Sequence, residues 1–151
     1  MKLHFRKAKK VDIPCLIQML SDDILGAQRE DNSVPINQRY VETFGHINTD
    51  PNNELIVVEN ESSIVGMLQL TFIPYLTHLG SWRCLIEGVR IHSTQRGKGL
   101  GTDFINWSIE RAKQRRCSIV QLTSDKQRPD AIRFYEDLGF KASHEGLKLK
   151  L

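Results

Sequence analysis

The chain has 151 residues, 40% of them hydrophobic and 26% charged, with a formal net charge of +3. That suits one domain around one core, neither disordered nor fibrous. No apolar run approaches the roughly 20 residues of a membrane-spanning helix, and the basic start MKLHFRKAKK lacks an apolar segment after it, so neither a membrane partner nor a secretory leader is expected.

Along the chain, Leu3 and Phe5 alternate with Lys2, His4 and Arg6, the period of a half-buried strand. Ile13, Leu16, Ile17 and Leu20 form one helical stripe, with Asp12 and Pro14 near its start. Residues 21–34 are polar and acidic and read as loop. Residues 36–48 predict a second helix with Ile36, Tyr40, Phe44 and Ile47 inward, and DPNN at 50–53 is turn chemistry. ELIVVE and SIVGMLQLTFI flank Asn60-Glu61-Ser62, a hairpin signal. WRCLIEGVRIH, 82–92, reads as a further strand. Lys98 to Arg115 is helical, with Leu100, Phe104, Trp107 or Ser108, and Ala112 on one side. SIVQLT is a buried-type strand. DAIRFYEDLGF is a short helix stopped by Gly139, and the closing GLKLKL alternates like an edge or hairpin strand.

The predicted order is β-α-α-β-β-β-α-β-α-β, a mixed α/β fold in a single domain over 1–151. Its strand–glycine loop–helix–strand segment makes one right-handed parallel crossover in an otherwise antiparallel sheet. The basic cluster Arg111, Lys113, Arg115 and Arg116 reads as a solvated helix end in preference to an RNA surface. Cys15, Cys84 and Cys117 are few, odd in number and far apart. This argues against a disulfide framework and a zinc site, and makes a reducing cytoplasm the simplest setting. His4, His46, His78, His92 and His144 are scattered and read as surface or structural, so no metal is expected.

The densest motif follows the fourth predicted strand: Gly97, Gly99 and Gly101 alternate with other residues at a helix start. Free N–H groups and the helix dipole make such a place an anion seat. A dinucleotide GxGxxG fails, because its last glycine would be Thr102 or Phe104. A GxxxxGK[ST] loop fails at His92 and Gly99. What fits is Arg96-Gly97-Lys98-Gly99-Leu100-Gly101. It resembles the R/Q-x-x-G-x-G/A pyrophosphate loop of the GNAT N-acetyltransferase superfamily. RPDAIRFYEDLGF, 128–140, resembles that superfamily's A-x-x-F-Y-x-x-x-G-F signature, and the element order is similar over essentially the whole chain.

The resemblance implies a GNAT fold and an enzyme that moves the acetyl group of acetyl-CoA to a primary amine by direct attack in a ternary complex. It implies that backbone groups of Val89, Arg90 and Ile91 pair with the pantetheine arm, and that the N–H groups of Arg96, Gly97, Lys98, Gly99, Leu100, Gly101 and Thr102 hold the pyrophosphate. Tyr135 takes the position of the family tyrosine beside the sulfur, as general acid or as packing. Asp130 stands where many relatives have a cofactor-contacting asparagine, and either keeps that contact or caps a helix starting at Ala131. Glu87 is the candidate base, placed by alternation on one face with Leu85, Val89 and Ile91, since a carboxylate among apolar neighbours accepts protons better than one in water. Some relatives carry the acid two residues earlier, where this chain has Leu85. Glu87 binding a cationic substrate, or pairing with Arg83 or Arg90, stays open.

The family's acceptor pocket maps onto 21–40 and 72–81, where Asp22, Asp23, Glu30 and Asp31 either attract an amine or form a solvated loop. The block DKQRPDAIRFYEDLGF resembles small-molecule members, among them aminoalkylphosphonate acetyltransferases. A small-molecule amine is thus the expected partner, without nucleic acid, the protein being a monomer or homodimer. A non-catalytic acetyl-CoA-sensing module and a protein or peptide N-acetyltransferase are the alternatives.

Overall fold

The run LIVV, residues 55–58, is apolar throughout because its strand is covered on both faces. The computed structural model describes residues 2–151. In it, β1 (Leu3–Lys7), β2 (Asn53–Asn60), β3 (Ser63–Pro74), β4 (Trp82–Ile91) and β5 (Cys117–Leu122) form one sheet in that order. Neighbours are antiparallel from β1 to β4, and β4–β5 is the parallel pair. The chain divides into two compact units, Met1–Gln121 and Leu122–Leu151.

In the first unit, α1 (Ile13–Leu20) lays Leu16 and Met19 against Ala8, Val57 and Met67 on one face of the sheet. Phe44 of α3 (Gln38–Thr49) and Leu55 pack at the margin of that cluster. On the other face lies α5 (Leu100–Gln114), burying Leu100, Phe104, Ile105, Ser108 and Ala112. Trp107 stacks on Phe5 at 5.2 Å between ring centroids, while Ser108 is fully buried and donates its hydroxyl to the Phe104 carbonyl at 2.9 Å. Both sequence candidates for that helix position are therefore inward. Glu61 and Ser62 adopt φ of 49° and 66°, a two-residue turn whose twist suits a hairpin, and Asn60 pairs directly with Ser63.

One carboxylate anchors the far end of α5. Glu54, 2% exposed, receives Arg111 Nε at 2.9 Å and a second bond from Arg111 Nη2, with Arg115 at 3.5 Å and Lys7 at 3.8 Å. Burial alone would raise this carboxyl, but the Arg111 hydrogen bonds and the cations around it hold it below its ordinary value. The Arg115 guanidinium also lies 4.1 Å over the Phe72 ring and donates to the Pro51 carbonyl. Two members of the basic cluster thus turn into the sheet, and Lys113 pairs with Glu110.

Two expectations of secondary structure are corrected. The stretch 21–34 contains a short helix, α2 (Ile24–Arg29), nucleated by Asp23, which accepts from the Gly26 N–H at 2.6 Å. A helix so short, with a glycine inside it, has no apolar stripe to announce it. That glycine is required, since a Cβ there would overlap the Leu20 carbonyl. The second correction is the closing GLKLKL, which forms no strand, and Leu147, Leu149 and Leu151 are exposed. Alternation supplies a strand with a dry face only when a neighbour supplies the ladder. No ladder pairs these residues among the described ones. The one-turn α4 (Thr77–Gly80) puts His78 and Leu79 in the left-handed region.

The second unit is built around α6 (Pro129–Asp137). Gly139 at φ 95° ends it, and the Tyr135 carbonyl accepts from the N–H groups of Leu138 and Phe140. Tyr135 meets Phe134 and Phe140 edge to face at 5.1 and 5.8 Å. The helix begins at Pro129, with Arg128 as its N-cap residue. Asp130 is therefore inside the first turn, where its charge suits the dipole, and is not the cap of a helix starting at Ala131.

Removing Glu54 leaves cations without their carboxylate at a buried position. Glu54→Ala is expected to lower stability by about 3 kcal/mol, measured as a shift in urea midpoint. A carboxyl held below its ordinary 4.5 stabilises the fold above that pH, and the contribution is lost as pH falls through the folded value. The stability gap between the parent protein and Glu54→Gln should therefore be wide at pH 7 and narrow near pH 3.

Candidate functional site

The site starts from one extra residue in β4. Leu85 pairs with Thr71 and Glu87 with Gln69, but the next pairs are Arg90 with Met67 and Ile91 with Gly66. From Gln69 to Met67 β3 advances by two residues while β4 advances by three. The surplus is a bulge at Gly88, whose φ of 61° only glycine adopts without strain. Partners across a ladder share a face, so Glu87 and Arg90 both lie on the α1 side with Gln69 and Met67, while Val89 and Ile91 lie on the other. The expectation that Glu87 shares a face with Val89 and Ile91 is therefore wrong beyond Leu85. Strict alternation holds only up to the bulge. Glu87 itself is exposed. Of its two suggested partners, Arg83 lies 4.0 Å over the Tyr75 ring and bonds Gln121, and Arg90 donates to the Val89 carbonyl at 2.8 Å.

Beyond Ile91 the chain makes a 3-10 turn, Ser93–Gln95, whose cap is His92: its Nδ1 accepts from the Thr94 N–H at 3.3 Å. Gly97 and Gly99 then take φ of 74° and 84°, and Gly99 opens α5. The first backbone bond of the helix runs from the Asp103 N–H to the Gly99 carbonyl. The N–H groups of residues 97–102 have no protein acceptor among the described residues, and a Cβ at Gly97 or Gly99 would meet nothing within 4 Å. Open space beside free donors at the positive end of a helix can seat an anion.

Arg96 does not reach into that seat. Its Nε donates to the Ile91 carbonyl at 3.0 Å and its Nη2 to Asp22 at 2.9 Å, tying the loop to the turn after α1. The other acidic residues of 21–34 are also engaged. Asp23 caps α2, Glu30 accepts the Tyr40 hydroxyl at 2.7 Å, and Asp31 accepts from Ser33 and Asn37, which hold its carboxyl down at about 2.

The structure thus brings Glu87, Val89, Arg90, Ile91 and residues 96–102 onto one continuous stretch of strand, turn and helix start in the first unit. Tyr135 and Asp130 belong to the second unit. Periodicity missed a cavity of about 160 Å³ between α1, α3 and β3 that reaches Gly88. Tyr40, Phe44 and Ile47, expected as plain core, line it, and none of the α3 residues is fully buried. An inward stripe that stays half-exposed was the signal available, but it takes coordinates to read. Among the described residues no His, Cys, Asp or Glu group could hold a metal ion, and no helix is long and apolar enough to cross a membrane. The three cysteines are free thiols, that of Cys84 pushed up to about 12 by burial.

Residues 21–140 match the acetyltransferase (GNAT) family, and the chain belongs to it. It is 30% identical over 95 residues to an aminoalkylphosphonate N-acetyltransferase of Salmonella typhimurium. The match covers 63% of this chain and 61% of that protein, so the chain spans about three fifths of that relative. A crystal structure described as a transcriptional regulator from Bacillus halodurans C-125 is 56% identical, with a TM-score of 0.96 over 99% of this chain and all of that one. A structure from Clostridium acetobutylicum, described as a predicted acetyltransferase with acetyl-CoA, shares the fold at 22% identity, with a TM-score of 0.75 over 99% and 96% of the two chains.

The left-handed backbone at Gly99 is a test of the loop's geometry. Gly99→Ala should lower stability by about 1 kcal/mol through backbone strain alone, with no clash, as a shift in urea midpoint at unchanged slope.

Proposed function

We propose that residues 1–151 act as one acetyl-CoA-dependent N-acetyltransferase domain, transferring the acetyl group to the primary amine of a small molecule by direct attack in a ternary complex. The observation that carries this reading is the array of free N–H donors at 97–102, joined directly to the bulged end of β4 where Glu87 stands. The cradle fits a pyrophosphate in charge, in donor count and in the room left by Gly97 and Gly99. The small-molecule acceptor is supported by the Salmonella relative.

When bound, acetyl-CoA supplies a thioester as acetyl donor. The chain's own groups do the rest. The donors at 97–102 fix the pyrophosphate, and backbone groups of Val89, Arg90 and Ile91 align the arm. A Val89 N–H directed at the thioester oxygen stabilises the charge that develops there. Glu87, directly or through one water, takes the proton that the ammonium must lose before its nitrogen can attack the carbonyl carbon. A new C–N bond forms, the C–S bond breaks, Tyr135 gives its phenolic proton to the departing sulfur, and the second proton that the nitrogen loses as the amide forms returns the phenolate to phenol through solvent. The role of Tyr135 rests on the Ala131-to-Phe140 signature it completes. Holding both reactants together contributes more than either proton transfer.

A second reading is a non-catalytic acetyl-CoA-responsive module, favoured by the description of the 56% identical structure as a transcriptional regulator. Incubation with acetyl-CoA and a panel of amines, with free thiol as readout, separates the two. Thiol release that depends on the amine supports the enzyme. Tight acetyl-CoA binding with no release for any amine supports the module.

Gly99→Glu puts bulk and negative charge in the cradle. It should abolish acetyl-CoA binding in a calorimetric titration, while Gly99→Ala retains most of it. Glu87→Gln should lower kcat about 100-fold or more and flatten the fall in rate on the acid side, where the native carboxylate becomes protonated. An unmoved pH profile would clear Glu87 of the base role. Tyr135→Phe should reduce kcat more than acetyl-CoA affinity, and an equal loss in both would make Tyr135 a packing residue.

A further inference from the structure

The cavity beside the bulge bears on what the acceptor is. Its walls are Ile13 and Leu16 of α1, Tyr40 and Phe44 of α3, and Met67 of β3, and it reaches the strand at Gly88. Among the described residues no charged side chain lines it. Of its polar side chains, the Tyr40 hydroxyl donates to Glu30 and the Gln69 amide nitrogen to Asn53. A phosphate, carboxylate or ammonium group entering it would lose water and gain no counter-charge. An apolar group loses nothing of the kind and gains burial.

Size narrows the choice. The volume of about 160 Å³ is close to the roughly 150 Å³ of a dry apolar cavity that accepts benzene. Position narrows it further. A Cβ on Gly88 would meet nothing within 4 Å, so the strand leaves room one residue from Glu87. Resting on the transferase reading, we infer that the acceptor is an amine carrying one apolar group, of the size of a phenyl ring or a branched aliphatic chain, which fills this cavity while the amine stays at Glu87. The open bulge then serves both halves of the acceptor.

The test uses the full chain with acetyl-CoA and four amines: 2-phenylethylamine, 3-methylbutylamine, ethanolamine and 2-aminoethylphosphonate. Thiol release gives kcat/KM for each, and calorimetry gives the binding of 2-phenylethylamine and ethanolamine. Each buried methylene is worth about fourfold, so the apolar pair should exceed ethanolamine in kcat/KM by about 50-fold or more. Thr43 lines the cavity from the exposed side of α3. Thr43→Lys should cut kcat/KM for 2-phenylethylamine about tenfold at unchanged thermal midpoint and acetyl-CoA affinity. Equal or better turnover of ethanolamine or the phosphonate would overturn the inference and leave the transferase reading standing. If no amine is turned over, the transferase reading fails and the titration decides the cavity. Binding of 2-phenylethylamine without ethanolamine supports it, and equal or absent binding of both overturns it.

Discussion

Gly88 adds one residue to β4 that β3 does not match, and the orientation of the whole chemistry-bearing segment follows from that surplus. Before it, odd-numbered side chains of β4 face α1. After it, even-numbered ones do. Glu87 and Arg90 thereby come to one face although three residues apart, and the ladder resumes at Arg90 and Ile91, with the His92 N–H on the Val65 carbonyl, just before the turn that leads to the glycine cradle. A bulge without a side chain does this at the least steric expense.

The two faces of the sheet carry different burdens. The α5 face is close-packed and structural, with the Phe5–Trp107 stack and the saturated Glu54 cluster. The α1 face has a conventional core around Leu16, Val57 and Met67, but α3 stands half-buried and leaves a hollow. The close-packed face and the hollow thus lie on opposite sides of the same strands. The buried carboxylate sits on the side away from the hollow, where its demand for cations does not disturb an apolar wall.

Much of this was legible in the residues. The β2–β3 hairpin, the α5 stripe and the Gly139 stop rest on local chemistry and were readable within a residue or two. The glycine cradle was legible because its spacing and its setting agree. Three features were not. The bulge depends on pairing with β3, and the β4 sequence alone reads as uninterrupted alternation. Helix α2 depends on the Asp23 cap and on contact with the Leu20 carbonyl, both too local or too remote for a periodic signal. The partners of Arg111 and Arg115 depend on a carboxylate 57 and 61 residues away. The closing Leu147, Leu149 and Leu151 show the converse: a strand pattern without a ladder remains only a pattern.

Helix α5 is held at both ends. Glu54 grips Arg111 and Arg115 near its C-terminus, Leu100 and Phe104 are buried near its N-terminus, and Arg96 fastens the preceding loop to Asp22. The free N–H groups at its start are therefore aimed before any ligand arrives. The entropy of ordering that loop is spent when the chain folds, so under the proposed reading an incoming anion meets a finished receptor and keeps more of its contact energy as affinity.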